Sequence, residues 1–114
     1  MQKRSLEALG REQLAAAKGT ASARAATTIF GGHEHKLRQT VIALREGARL
    51  DEHQNPGEAT LLVLSGRIEL SADGELWAGR TGDFLVIPDS RHAVRAVQDC
   101  VMLLTAVPRE HLNA

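Results

Sequence analysis

From residue 29 onward the chain is interrupted every few residues by a turn signal, and this spacing constrains its fold more than any other feature. Gly31-Gly32, Gly47, Pro56-Gly57, Gly66, Asp73-Gly74, Gly79, Gly82 and Pro88 punctuate apolar segments too short for ordinary helices. The pattern predicts strands near residues 27–30, 37–45, 59–64, 67–72, 75–78, 83–87, 92–97 and 100–107. Asp73-Gly74 lies between Ile68-x-Leu70 and Leu76-Trp77. It is a strong hairpin signal, because both central residues of a type I′ turn need positive φ. Many short strands with no long helix among them predict an all-β sandwich or small barrel.

The first 28 residues read differently. Residues 5–18 are rich in helix formers, with Ser5 as N-cap and Leu6, Leu9 and Leu14 roughly on one face. Gly10 weakens the helix interior and Gly19 stops it. Residues 19–28 are small and polar and read as a linker. With 114 residues in all, the chain divides into a helical arm and linker over 1–28 and one β-barrel domain over 29–110.

Charge and cysteine content exclude several function classes. The sequence has 14 Lys+Arg and 14 Asp+Glu, so no global basic field points to nucleic acid. The arm holds five basic and two acidic residues, leaving nine and twelve for the remainder. That mild split favours packing of the arm on its own or a neighbouring barrel. Cys100 is the only cysteine, which rules out an intrachain disulfide and a cysteine-based zinc cluster. Its apolar neighbours Val101 to Leu104 predict a buried, inert thiol. Neither a signal-peptide core nor a membrane-length apolar run is present, so the expectation is a cytoplasmic protein with no membrane partner. Ser65 and Ser90 form no nucleophile elbow, and there is no phosphate-binding glycine loop. Two Phe, one Trp and no Tyr are too few for a base-stacking platform.

Two stretches carry a resemblance. Gly47, His53 and Gly66 fit the pattern G-x5-H-x-H-x3–4-E-x6-G, and Gly82, Pro88 and His92 fit G-x5-P-x-G-x2-H-x3-N with one residue deleted before the histidine. Over about residues 37–107 the sequence resembles the cupin superfamily. The resemblance implies an all-β double-stranded β-helix, the jelly-roll cupin barrel, here with a short N-terminal helix. It also implies a metal in the barrel mouth, held by two histidines and an acidic or amide residue of the first motif and one histidine of the second. Residues at i and i+2 of a strand share a face, so H-x-H aims both imidazoles inward. A site of three or four N/O donors with an open position suits Zn, Fe, Mn, Ni or Cu.

The chain departs from that donor set. His53 and His92 match, and both are expected to face the interior near each other. Asn55 replaces the second histidine, and Ala59 and Ala96 occupy the Glu and Asn positions. Glu58 is one residue early, and period two points it to the other face unless a bulge re-aims it. His33-Glu34-His35 reads most simply as a polar loop; extended, it would offer His33 or His35 as a replacement ligand beside His53 and His92. Gln39 shares parity with Val41 and Ala43 and is expected to line the pocket with Val41, His53, Asn55 and His92. His111 falls in a polar tail.

The expected function is a cupin with a degenerate metal site that binds a small molecule in its barrel, as a binding or sensing protein. The alternative is a metal-dependent isomerase, dioxygenase or cyclase-like enzyme, with one divalent ion on His53 and His92 and help from His35 or Glu58. A weaker alternative is a regulatory partner protein, although no helix-turn-helix pattern appears. A homodimer is expected, with residues 1–30 packed on the partner or across the barrel, because Leu6, Leu9, Leu14, Ile29 and Phe30 are costly to leave in water.

Overall fold

The structure, a computed structural model, describes residues 1–54 and 57–108, and of residues 51–54 the backbone alone. One helix, α1 (Leu6–Lys18), precedes nine strands among the described residues: β1 (Arg24–Phe30), β2 (Arg38–Leu44), β3 (Arg49–Gln54), β4 (Gly57–Ser65), β5 (Arg67–Ala72), β6 (Glu75–Arg80), β7 (Phe84–Val86), β8 (Arg91–Ala96) and β9 (Cys100–Pro108). They form two antiparallel sheets, ordered β1-β2-β9-β4-β7 and β3-β8-β5-β6.

Alternation decides which side chains meet between the sheets. In β4, Ala59, Leu61 and Val63 are buried, while Thr60, Leu62 and Leu64 stay partly open on the other face. Leu44, Leu85 and Met102 from the same sheet meet Ile68, Leu70, Val94 and Ala96 from the other in one core. Each fully buried aliphatic side chain contributes about 1.5–3 kcal/mol. The expected hairpin forms at Asp73 (φ +52°) and Gly74 (φ +77°), joining β5 to β6 with Leu70 opposite Trp77.

A second apolar cluster lies on the outer face of the five-stranded sheet. There α1 lies across β1 and β2, and Ala17, Val41, Ala43 and Val101 pack with Leu6, Leu14, Ala25 and Ile29. The Ser5 side chain caps α1 by accepting from the Ala8 N–H at 3.2 Å. Gly10 has a packing role: a Cβ there would sit 3.0 Å from Val101 Cγ1, so its absence lets the helix approach the sheet.

Two expectations are corrected. The strand expected from residue 27 begins at Arg24, because Arg24 to Thr28 pair with Leu44 to Thr40 of the buried β2. That pairing overrides the weak strand preference of Ala25 and Ala26. Strand β3 was absent from the expected strands: Arg49-Leu-Asp-Glu-His-Gln is mostly polar, and its pairing with β8 makes it a strand.

Candidate functional site at the end of β3 and β8

Strand β8 lies between β3 and β5 and carries the best-defined site residue. His92 shares parity with Val94 and Ala96, which belong to the main core, and is itself only 3% exposed. Its Nδ1 lies 3.0 Å from the Ser90 carbonyl oxygen. A carbonyl only accepts, so this bond requires a proton on Nδ1 and puts the neutral ring's lone pair on Nε2. A backbone carbonyl on one ring nitrogen is also how a ligating imidazole is oriented.

The register brings the two motif histidines together at the backbone. His53 pairs with His92 and Gln54 with Arg91, after a register shift between Leu50 and His53. Directly opposed residues of an antiparallel pair have Cα atoms about 4.5–5.5 Å apart. On the other side of β8, Ala72 pairs with His92, and Glu75 pairs with Ala72 across the hairpin. One row thus runs His53, His92, Ala72, Glu75 across the four-stranded sheet. Asn55 and His111 lie outside the described residues.

The other proposed ligands are not gathered there. Ala59 faces the core at 8% exposure, so the position of the motif's carboxylate holds a methyl group. Glu58 is exposed on the opposite face, and the β4–β9 register runs unbroken from Gly57 to Val63, so no bulge re-aims it. His35 sits in the loop between β1 and β2. Its Nε2 is 3.6 Å from Glu34 Oε1, and its ring stacks at a tilt on Phe30 with centroids 4.5 Å apart. That loop is turned rather than extended, so period two does not apply to it.

Gln39 and Val41 lie away from this row. Val41 is fully buried, but in the cluster under α1, and Gln39 on the same face donates from Nε2 to Thr105 Oγ1 at 3.3 Å. The interior residues of β2 are Ile42 and Leu44. Residues 41–44 are all buried because β2 has the helix on one side and the core on the other. Such a strand reads as a continuous apolar run, from which parity cannot be assigned.

A metal centre needs at least three donors, and no group of three or more His, Cys, Asp or Glu side chains suited to a metal occurs among the described residues. Among those described side chains, His92 is the one motif ligand. Cys100 is no substitute: it is fully buried, and burial pushes its thiol up to about 11, with Asp99 adding to the rise and a backbone hydrogen bond at Leu44 opposing it.

Sequence reasoning missed Trp77. It stands opposite the buried Leu70 and lines a cavity of about 160 Å³ with Leu70, Ala72, Asp73, Glu75 and Pro88. The signal was available, since the two-residue turn sets the register and so places Trp77 on the face of Leu70.

Residues 40–107 match the family described as Cupin domain. The chain belongs to the cupin family. This cupin is 30% identical to the conserved SPY1581 protein of Streptococcus pyogenes, whose function is unknown, with a TM-score of 0.70 over 78% of this chain and 77% of that one. It is also similar to a Cupin 2 conserved barrel domain protein from Salinispora arenicola, with a TM-score of 0.72 at 19% identity, covering 99% of this chain and 93% of that one. Among curated proteins it is 41% identical over 58 residues to the polyketide synthase CurC of Streptomyces cyaneus. That match takes in 49% of this cupin and 38% of the relative's length.

Proposed function

We propose that this cupin binds a small organic molecule at the end of its barrel marked by His53 and His92, in a site that has lost most of the family's metal donors. The observation that carries this reading is the pairing of an inward, nearly fully buried His92 with a methyl group at the acidic ligand's position, Ala59. Native mass spectrometry and elemental analysis of untagged protein test it. A retained small molecule without stoichiometric metal is the expected result. Stoichiometric metal with no bound organic molecule would overturn it.

A second reading is an enzyme acting on a polyketide-like substrate, favoured by the 41% identity to the polyketide synthase CurC. Stoichiometric metal in the same elemental analysis would favour it over binding alone.

The reading includes a cytoplasmic protein; no described helix is long and apolar enough to cross a membrane. It also includes a homodimer. α1 covers β1 and β2 of its own chain, and apolar surface is left open on that face at β7, where Phe84 and Val86 are 63% and 59% exposed. A second copy covering them would remove that surface from water. Light scattering over a dilution series tests this, and a monomeric mass at every concentration would reject it.

A further inference from the structure

We propose that the cavity beside Trp77 is a subsite for a small alkylammonium group, so that the barrel-end ligand carries positive charge at one end. The inference rests on the reading of the barrel end as a ligand site and adds the ligand's charge.

Trp77 lies on the last strand of its sheet and keeps 45% of its surface exposed, although its partner Leu70 is buried. Its side of the hairpin is therefore an apolar wall that is only partly covered. Leu70, Ala72 and Pro88 supply further apolar lining to the cavity of about 160 Å³. Among the described residues, the polar side chains lining it are the carboxylates of Asp73 and Glu75, with no Lys, Arg or His. Asp73 is held in place by Ser90, whose Oγ donates to Oδ2 at 3.0 Å. Ala72, Asp73 and Glu75 also border an adjoining hollow that Arg91 lines with Ser71 and Leu76, so Arg91 shares the two carboxylates from the side away from Trp77 and Leu70.

An indole face attracts a cation through its quadrupole, and two carboxylates beside it raise the preference for positive charge. An anion meets repulsion there, and a neutral group of the same shape gains only apolar contact. The subsite also lies in reach of the histidine row. Adjacent strands are about 4.8 Å apart, so two steps from His92 through Ala72 to Glu75 span roughly 10 Å. A ligand of that length can touch both ends.

Trp77 is the only tryptophan and there is no tyrosine, so intrinsic emission reports this cavity alone. The test is a fluorescence titration of the full chain at fixed ionic strength. The probes are choline, its neutral isostere 3,3-dimethylbutan-1-ol, and the anion 3,3-dimethylbutanoate. Choline is expected to change the emission saturably and to bind about fivefold or more tighter than the isostere. Glu75→Gln, on an exposed side chain, is expected to shrink that preference while circular dichroism stays unchanged. Equal binding of choline and the isostere, or preference for the anion, would overturn the cationic subsite while leaving the ligand-binding reading standing. No response to any probe would also overturn it, and native mass spectrometry then decides the ligand-binding reading separately.

Discussion

Replacing Gly66 by alanine is expected to damage the fold far more than the same change at Gly47, although both are motif glycines with nearly the same backbone angle. Gly66 has φ +87° and Gly47 φ +84°. The left-handed conformation costs an L-residue about 1–2 kcal/mol at either position. At Gly47 that is the whole cost, because an added Cβ meets nothing within 4 Å. At Gly66 the Cβ would lie 2.8 Å from both Cα and Cβ of Cys100, beside the Asp99 carbonyl. These are mainly backbone atoms of the turn into β9 and cannot rotate away. Overpacking of this kind adds about 1–3 kcal/mol, for a total of about 2–5 kcal/mol. With about 4 °C lost per kcal/mol for a chain of this size, Gly66→Ala should lower Tm by about 8–20 °C, and Gly47→Ala by about 4–8 °C. Urea unfolding with equal slopes checks the free energies directly. Equal losses at the two sites would refute the argument that close approach, rather than backbone angle, requires glycine at position 66.

Cys100 should react with a disulfide reagent only after unfolding. Its folded value of about 11 lies above the ordinary 9, so the folded state holds the proton longer. The stabilisation is complete below pH 9 and is lost as pH rises towards 11. The loss of about 2–3 kcal/mol should be absent from Cys100→Ala in alkaline urea titrations. Val41→Asp places an unpaired carboxylate under α1 and should cost about 3–5 kcal/mol, with faster proteolysis of the arm; a variant as stable as the parent would return Val41 to an exposed position. Glu58→Gln should leave any ligand or metal affinity unchanged in calorimetry, since its side chain faces away from the core. A large loss would show that β4 is re-aimed when the site is filled.

Much of the fold was legible in the residues. Glycines and prolines marked most strand ends, because φ > 0 and the lack of a donor are local demands that do not depend on the rest of the chain. Asp73-Gly74 set the β5–β6 register for the same reason, and Ser5 and Gly19 bounded the helix through local hydrogen bonds. The alternation in β4 placed Glu58 outside and Ala59 inside, since one face of that strand meets the core and the other is only partly covered.

Tertiary structure decided the remainder. Strand β3 exists because β8 pairs with it, and its own polar residues do not announce it. The faces of β2 were assigned by the docking of α1: with Val41 to Leu44 all buried, hydrophobicity carries no sign of inside or outside, and only the helix on one side and the second sheet on the other distinguish Val41 from Ile42. The site depends on the same kind of long-range information. Position 92 lies 39 residues from position 53, and a sheet register places their backbones opposite each other. The chain's own residues thus determined where its backbone turns and which chemistry it carries. The packing of sheet on sheet and helix on sheet determined which side chains share a space, because burial depends on what arrives from elsewhere in the chain.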